Sequence, residues 1–149
     1  MIIKQEHLVE SIHFSLQYIS YYHSPDFIKA MVLAYERETN QSAKNAIEQI
    51  LINSKMCALG KRPICQDTGI VNVFVEVGMN VQWESELSLE DMINEGVRRA
   101  YNEPDNRLRA SIVSDPLFSR KNTQDNTPAV IHTKLVKGNK LDITVAAKG

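Results

Sequence analysis

The sequence predicts an α+β fold, in which a helical amino-terminal third precedes a mixed or antiparallel sheet with at least one covering helix. Apolar residues recur at helical spacing through residues 8–51. A run of alternating valines follows at 70–77, and two further β-rich runs occupy 130–136 and 141–145. Helices that come first and strands that come later are typical of α+β proteins.

The amino-terminal third is predicted to contain helices that begin and end at recognisable signals. Serine can cap free amides and proline suits the first helical position, so Ser24 and Pro25 should begin a second helix. Apolar spacing through 43–51 marks a third helix, which 60–63 ends. The first helix carries an apolar face that we expect to be buried: Leu8, Ile12, Leu16 and Ile19.

The later part of the chain is predicted to contain strands on either side of one more helix. Valines alternate with other residues in 70–77, which predicts a strand that is buried on one face. Ser88–Asp91 resembles a capping box that opens a helix, and Pro104 stops that helix. Residues 137–140 have Gly-Asn at their centre between the last two β-rich runs. We therefore expect those two strands to pair as a hairpin.

Composition and net charge exclude several classes of protein. The chain has 149 residues, with 17 basic and 18 acidic side chains and a net charge of -1. No global field therefore draws it to nucleic acid or to an anionic membrane. The polar start lacks a secretory signal, and no later apolar run approaches the roughly 18 residues of a membrane span. We expect a soluble, cytoplasmic protein that forms a single domain over residues 1–149.

The segment 64–69, Ile-Cys-Gln-Asp-Thr-Gly, concentrates a thiol, an amide, a carboxylate and a hydroxyl at a predicted loop-to-strand junction. Polar groups gathered in a loop favour a functional role. The alternative is a simple turn, in which Asp67 and Thr68 bond local amides, while Gly69 supplies a positive φ and Cys65 packs as a small apolar residue. The residue types alone leave both interpretations open.

The cysteines and one arginine are the other candidates for chemistry. Cys57 and Cys65 are too few for a disulfide scaffold and too widely spaced for a zinc-finger pair, which leaves reduced thiols or another kind of metal ligation. Cys57 lies near an apolar helix end and is expected to pack. Arg109 offers a planar fork that suits a carboxylate, although a loop arginine is usually a solvated charge. The polar stretch 115–128 is either functional or mobile.

Several longer motifs occur in order and carry a family resemblance. Together they resemble class I, iron–sulfur-dependent fumarate hydratase, which shares a superfamily with the α-type subunits of L-tartrate dehydratase. The match covers most of residues 55–149. The motifs are Arg-Pro-Ile-Cys-Gln-Asp-Thr-Gly (62–69), Glu-Gly-Val-Arg-Arg-Ala-Tyr (95–101), Leu-Arg-Ala-Ser (108–111) and Arg-Lys-Asn-Thr-Gln-Asp-Asn-Thr-Pro-Ala (120–129).

The resemblance implies a 4Fe–4S cluster held by three cysteines, the first of which corresponds to Cys65. It also implies that Gln66, Asp67, Arg109 and Gly149 bind a small dicarboxylate substrate, with Asp67 as the candidate catalytic acid or base. The other ligands would lie beyond Gly149. The chain is thus expected to be the incomplete amino-terminal part of a cluster-binding catalytic domain, without cluster or activity when isolated.

The implied reaction is the reversible hydration of fumarate to (S)-malate in the tricarboxylic acid cycle, with a cluster iron as Lewis acid and a homodimeric full-length enzyme. An L-tartrate dehydratase of the same superfamily is an alternative, against which Trp83 and the Leu-Arg-Ala-Ser motif favour fumarate. A non-catalytic dimerisation or scaffold module is the alternative from a different class.

Overall fold

The computed structural model describes residues 1–65, 67–106 and 108–149, and it confirms the predicted α+β class, with a helical amino-terminal part before the sheet. None of the helices in these ranges is long and apolar enough to cross a membrane. The elements in chain order are β1 (Ile2–Lys4), α1 (Gln5–Tyr21), α2 (Pro25–Arg37), α3 (Gln41–Gly60), β2 (Ile70–Gly78), β3 (Gln82–Glu84), α4 (Leu89–Tyr101), β4 (Val130–Val136) and β5 (Leu141–Lys148).

Packing divides the chain into two compact units. A helical unit comprises residues 18–65, and a sheet unit comprises residues 1–17 together with the described part of 66–149. The sheet unit contains a short parallel pair, β1 with β3, and a three-stranded sheet in the order β4-β2-β5. The prediction that residues 1–149 form part of one larger catalytic domain stays a prediction.

The helical unit begins and ends its helices close to the predicted signals. Helix α2 starts at Pro25, but within the described residues the Ser24 side chain makes no capping bond to a helix amide. It is hydrogen-bonded instead to the Asp26 carboxylate in the first turn. Helix α3 ends at Gly60, and Lys61 takes a left-handed conformation with φ 47° while its N–H bonds back into the last turn. The helix-ending prediction is therefore confirmed. Ser24 occupies the N-cap position before Pro25 as predicted, but the expected capping bond from its side chain is wrong.

The predicted hairpin between β4 and β5 is also wrong, because β2 lies between them. Strand β2 is parallel to β4 and antiparallel to β5. The connection 137–140 instead crosses the end of β2, where the Gly78 N–H donates to the Lys140 oxygen at 2.8 Å and the Asn80 N–H donates to the Gly138 oxygen at 2.9 Å. A Cβ at Gly78 would lie only 2.7 Å from the Gly138 oxygen, so glycine is needed for the crossing.

Strand β2 has the one-sided burial that its alternation predicts. Its valines at 71, 73, 75 and 77 are buried, whereas Phe74 and Glu76 point to the exposed face. On that face Phe74 stacks on His132 with ring centroids 4.8 Å apart, and Lys134 donates to the Glu76 carboxylate at 2.7 Å. His132 therefore has a stacking partner on the sheet surface.

Helices α1 and α4 complete the core of the sheet unit. The capping prediction at Ser88 is confirmed, because its Oγ accepts from the Asp91 N–H at 3.1 Å, and α4 ends before Pro104. The Ala129 N–H donates to the Asn94 side-chain oxygen at 2.9 Å and so ties α4 to the start of β4. Buried helix residues that join the β2 valines are Leu8, Val9, Ile12, Leu16, Met92, Ile93, Val97, Ala100 and Tyr101.

At Gly96, helices α1 and α4 approach so closely that no side chain fits between them. A Cβ there would lie 2.6 Å from the Ile12 Cβ and 2.7 Å from the Val9 oxygen. Gly96→Ala is therefore expected to lower the free energy of unfolding by about 1–3 kcal/mol, the usual cost of overpacking. Chemical denaturation measures the change. Gly60→Ala is the matched control, since a Cβ there meets nothing closer than 3.7 Å, and an equal loss in both variants would contradict the packing argument.

Candidate functional site

The end of strand β5 lies directly against the glycine that precedes β2. Ile70 pairs with Lys148 in the antiparallel β2–β5 ladder, so Gly69 meets the peptide that joins Lys148 to Gly149. Gly69 has a φ of 63°, and a Cβ on it would lie 1.8 Å from the Lys148 oxygen. Only glycine allows this approach, because it has no Cβ and adopts a positive φ without strain.

Asp67 and Gly149, two of the predicted substrate-binding residues, are neighbours in this arrangement. The Gly69 N–H donates to Asp67 Oδ1 at 3.1 Å and so orients the carboxylate. A Cβ built on Gly149 would lie 2.9 Å from the Asp67 Cγ and 3.1 Å from its Oδ2. The Asp67 side chain is exposed. A solvent-facing carboxylate is thus held beside the main chain of Gly149.

Thr68 connects the Asp67 turn to the segment that carries Arg109. Its hydroxyl donates to the main-chain oxygen of Arg109, and its side chain is also hydrogen-bonded to the phenol of Tyr101. Tyr101 is 1% exposed. Burial raises the pKa of Tyr101 above its ordinary value, while the hydrogen bond with Thr68 opposes that rise. The phenol therefore stays neutral, and its hydrogen bond holds the Thr68 side chain from the buried side.

Arg109 presents its guanidinium to solvent. The residue is exposed, and its main-chain oxygen is held by Thr68. No described residue forms an ion pair or hydrogen bond with the guanidinium. Its backbone is therefore fixed while its planar fork can take an added carboxylate.

Asn126 lies beneath these segments and contacts two of them. Its Oδ1 accepts from the Ser111 N–H at 2.7 Å and from the Ile112 N–H at 3.2 Å. Its Nδ2 donates to the Gly69 oxygen at 3.0 Å, and the residue is 0% exposed. One buried amide thus joins the segment after Arg109 to the turn that contains Asp67.

The polar stretch 115–128, predicted to be functional or mobile, is extensively hydrogen-bonded. The Asn122 side chain donates to the Ala110 oxygen at 2.8 Å, and Arg98 Nε donates to the Asp125 carboxylate at 3.1 Å. Burial alone would raise the pKa of Asp125, but hydrogen bonds from Thr127 and Arg98 lower it below its ordinary value. The carboxylate therefore stays charged and ties the loop to helix α4.

The two cysteines differ in the way that the sequence predicts. Cys57 is buried, and its sulfur lies 3.6 Å from both the Asn53 side-chain oxygen and the Pro63 main-chain oxygen. Cys65 is a free, exposed thiol, as a ligand for an external metal group must be. Among the described residues no set of three or more His, Cys, Asp or Glu side chains could hold a metal ion. Cys65 as a cluster ligand stays a prediction.

A sequence profile described as fumarate hydratase (Fumerase) matches residues 9–149. The chain belongs to that family. It is 34% identical over 103 residues to a putative L(+)-tartrate dehydratase subunit alpha of Methanocaldococcus jannaschii, covering 68% of this chain and 35% of the relative. It is 30% identical over 117 residues to the anaerobic class I fumarate hydratase of Escherichia coli K12, covering 78% of this chain.

The aerobic class I fumarate hydratase of Escherichia coli K12 is 31% identical over 112 residues, which are 75% of this chain. The matches to the two Escherichia coli enzymes span only 21% and 20% of their lengths. This member of the fumarate hydratase family thus corresponds to a fifth to a third of the curated relatives that it matches.

The sheet unit brings together some of the site residues that lie in the fumarate hydratase family motifs. Asp67 and Gly149 adjoin, and the Arg109 backbone is bonded to the same turn through Thr68. Gln66, the remaining predicted substrate contact, lies outside the described residues. The sequence reasoning gave no role to Tyr101 or Asn126. Asn126 does fall in the 120–129 motif, whose concentration of amides and hydroxyls was the available signal.

The two cysteines of this chain should differ in how fast their thiols react. We expect a maleimide to modify Cys65 rapidly in the folded protein, whereas Cys57, 7% exposed, reacts only after local opening. Mass spectrometry of the labelled peptides measures both rates. Cys65→Ser is the control, because it should remove the fast phase alone. Modification of Cys57 as fast as Cys65 would contradict the observed packing.

Proposed function

We propose that this chain forms part of the active site of a hydro-lyase that interconverts fumarate and (S)-malate. The observation that carries the proposal is that hydrogen bonds join the Asp67 turn to the Arg109 segment while Gly149 lies in close contact with Asp67. An oriented carboxylate, together with a guanidinium that has no partner among the described residues, suits a substrate that is anionic and exchanges a proton. Family membership supports the same reaction class.

Arg109 and Gly149 are proposed to bind a carboxylate of the substrate. A guanidinium holds a carboxylate with two parallel charge-assisted hydrogen bonds, which fixes both position and orientation. Thr68 holds the Arg109 backbone, so the long side chain extends from a fixed base. The Gly149 N–H is the proposed second donor, and Gln66 is the proposed further contact.

Asp67 is proposed to be the acid or base. Elimination of water from malate removes a proton from the carbon beside one carboxylate and expels hydroxide from the adjacent carbon. Asp67 Oδ1 accepts from the Gly69 N–H, which leaves Oδ2 as the oxygen able to take or return that proton. In the hydration direction the same oxygen returns the proton to carbon.

Cys65 is proposed to bind one iron of a 4Fe–4S cluster. When bound, such a cluster supplies a Lewis acid that assists departure of the hydroxyl group. The chain has two cysteines, and Cys57 is buried and bonded within the helical unit. We therefore propose that the other ligands come from polypeptide outside these residues, and that the chain alone holds no stable cluster and has no activity.

L-tartrate dehydratase activity is the second candidate. The specific observation in its favour is that the putative tartrate dehydratase subunit alpha matches at 34% identity, against 30% and 31% for the two fumarate hydratases of Escherichia coli K12. The reaction is the same elimination on a more hydroxylated acid, so the roles proposed for Asp67 and Arg109 are unchanged. Trp83 and the motif at 108–111 favour fumarate. A scaffold module without catalysis is the remaining alternative.

The complete enzyme is proposed to be a cytoplasmic homodimer of the tricarboxylic acid cycle. Purification of the enzyme that carries this chain under anaerobic conditions, followed by assay with fumarate, malate and L-tartrate, tests the activity directly. We expect fumarate hydration at a higher kcat/KM than tartrate dehydration. The reverse order would establish the second candidate, and turnover of neither acid by an iron-loaded preparation would favour the scaffold role.

A further inference from the structure

We propose that Asn126 is a positioning residue whose side-chain amide sets the spacing between the turn that carries Asp67 and the segment that carries Arg109. What it positions rests on the proposed function, since Asp67 and Arg109 are the proposed acid or base and carboxylate clamp. The positioning itself rests on geometry alone and has a separate test.

Both ends of the Asn126 side-chain amide are hydrogen-bonded to main-chain groups. Its Oδ1 accepts from two successive main-chain amides, those of Ser111 and Ile112, at 2.7 and 3.2 Å. Its Nδ2 donates to the Gly69 oxygen at 3.0 Å. The residue is 0% exposed, so water does not reach its side-chain amide in the folded protein. The amide therefore acts as a fixed spacer between two main-chain segments.

Few other side chains could make the same three hydrogen bonds at position 126. A carboxylate would accept from the two amides but would face the Gly69 oxygen without a proton to donate. An aliphatic side chain would leave two amides and a carbonyl unsatisfied. Asn126 also has a φ of 60°, a left-handed conformation that asparagine adopts more readily than most residues. Side-chain chemistry and backbone conformation thus both favour asparagine.

The loop that carries Asn126 is itself fastened to the sheet unit. Asp125 accepts from the Thr127 N–H at 3.0 Å and from Arg98 Nε at 3.1 Å, which fastens the loop to helix α4. The Thr68 hydroxyl makes a second bond between the same two segments through the Arg109 oxygen. Asn126 lies on the buried side of this junction, so loss of its amide should loosen the Arg109 backbone while α4 and the sheet persist.

Hydrogen exchange of this chain tests the spacing without any need for activity. In Asn126→Gly, which accepts the left-handed backbone but has no side chain, the Ser111 and Ile112 amides should each exchange roughly 5- to 150-fold faster, as expected for a donor that loses its acceptor. Amides of β2 should exchange at the parental rate. Gln124→Gly is the matched control, because Gln124 is exposed and also has a positive φ, of 73°.

Kinetics of the enzyme that carries this chain test what is positioned. Asn126→Gly should raise KM for the dicarboxylate and lower kcat, while iron content stays at the parental level. Asn126→Asp keeps the acceptor for Ser111 and Ile112 and loses only the donor to Gly69. Asn126→Asp should therefore keep the Ser111 and Ile112 amides protected from exchange but should still have a lowered kcat/KM. A residue with only a structural role would not separate these two measurements.

The outcomes distinguish the inference from the proposed function. Unchanged exchange of Ser111 and Ile112 in Asn126→Gly would overturn the spacer role whatever the enzyme catalyses. Faster exchange with parental KM and kcat would overturn the positioning role and leave Asn126 structural. If Asn126→Gly unfolds, the β2 amides will report it, and Asn126→Asp then decides through its KM and kcat. A parental enzyme inactive on every dicarboxylate would refute the proposed function, while the exchange result would still stand.

Discussion

Replacing Cys65 with serine is expected to abolish cluster assembly in the enzyme that carries this chain. A serine hydroxyl is far less acidic than a thiol and is a poor ligand for iron–sulfur clusters, which are held by thiolates. Cys65 is exposed and free, so the substitution should leave the fold of the helical unit intact. Iron and sulfide analysis of anaerobically purified protein should show loss of the cluster, and hydro-lyase activity should fall to background.

Cys57→Ser is the matched control for that result. The Cys57 sulfur already lies within hydrogen-bonding reach of the Asn53 side-chain oxygen and the Pro63 oxygen, so a serine hydroxyl has acceptors at the same site. This variant should keep parental iron content. Retention of iron in Cys65→Ser would mean that Cys65 is not a ligand. Loss of iron from Cys57→Ser at unchanged thermal stability would make Cys57 a ligand as well and contradict its assignment to packing.

The elements that could be predicted from the sequence are those whose signals are local. Strand β2 was predictable because valine alternation over 70–77 depends only on neighbours along one strand. The start of α4 was predictable because Ser88 bonds to the Asp91 amide three residues later. Both signals lie within one turn of helix or one strand, where side-chain periodicity reports burial directly.

The order of strands was not predictable by the same means. Gly138 and Asn139 signal a tight connection, and the chain does turn there, but a local turn signal does not reveal whether another strand lies between the two that it joins. Strand β2 is separated by more than fifty residues in sequence from β4, with which it pairs along its length. The one relevant clue was Gly78, whose missing side chain lets the connection cross the end of β2.

The residues of the candidate site likewise fall into those that could be predicted from the sequence and those that could not. Cys65, Asp67 and Arg109 were predicted because each has a chemical group that suits the reaction and lies in a recognisable motif. Tyr101 and Asn126 were missed because their contribution depends on partners distant in sequence, 57 residues in the case of the Asn126 bond to Gly69. The polar motif at 120–129 includes Asn126, but the burial of its side chain and the identity of its partners follow only from the fold.

Substitution of Arg109 by lysine is expected to weaken fumarate use in the enzyme that carries this chain while leaving its cluster intact. Lysine keeps the charge but loses the planar fork that holds a carboxylate with two parallel hydrogen bonds. The loss should be about 1.5–3 kcal/mol in transition-state stabilisation, the range for hydrogen bonds to charged groups. That corresponds to roughly a ten- to hundredfold decrease in kcat/KM. Steady-state kinetics with fumarate and with malate measure it.

The exposed Arg109 guanidinium has no partner among the described residues, so the change to lysine breaks no bond that holds the fold. Arg120→Lys is the matched control, since Arg120 is another exposed loop arginine and should keep parental kinetics. Iron content should be parental in both variants, which distinguishes Arg109 from Cys65. Parental kcat/KM in Arg109→Lys, or a joint loss of iron and activity, would rule out a carboxylate clamp and assign Arg109 a structural role.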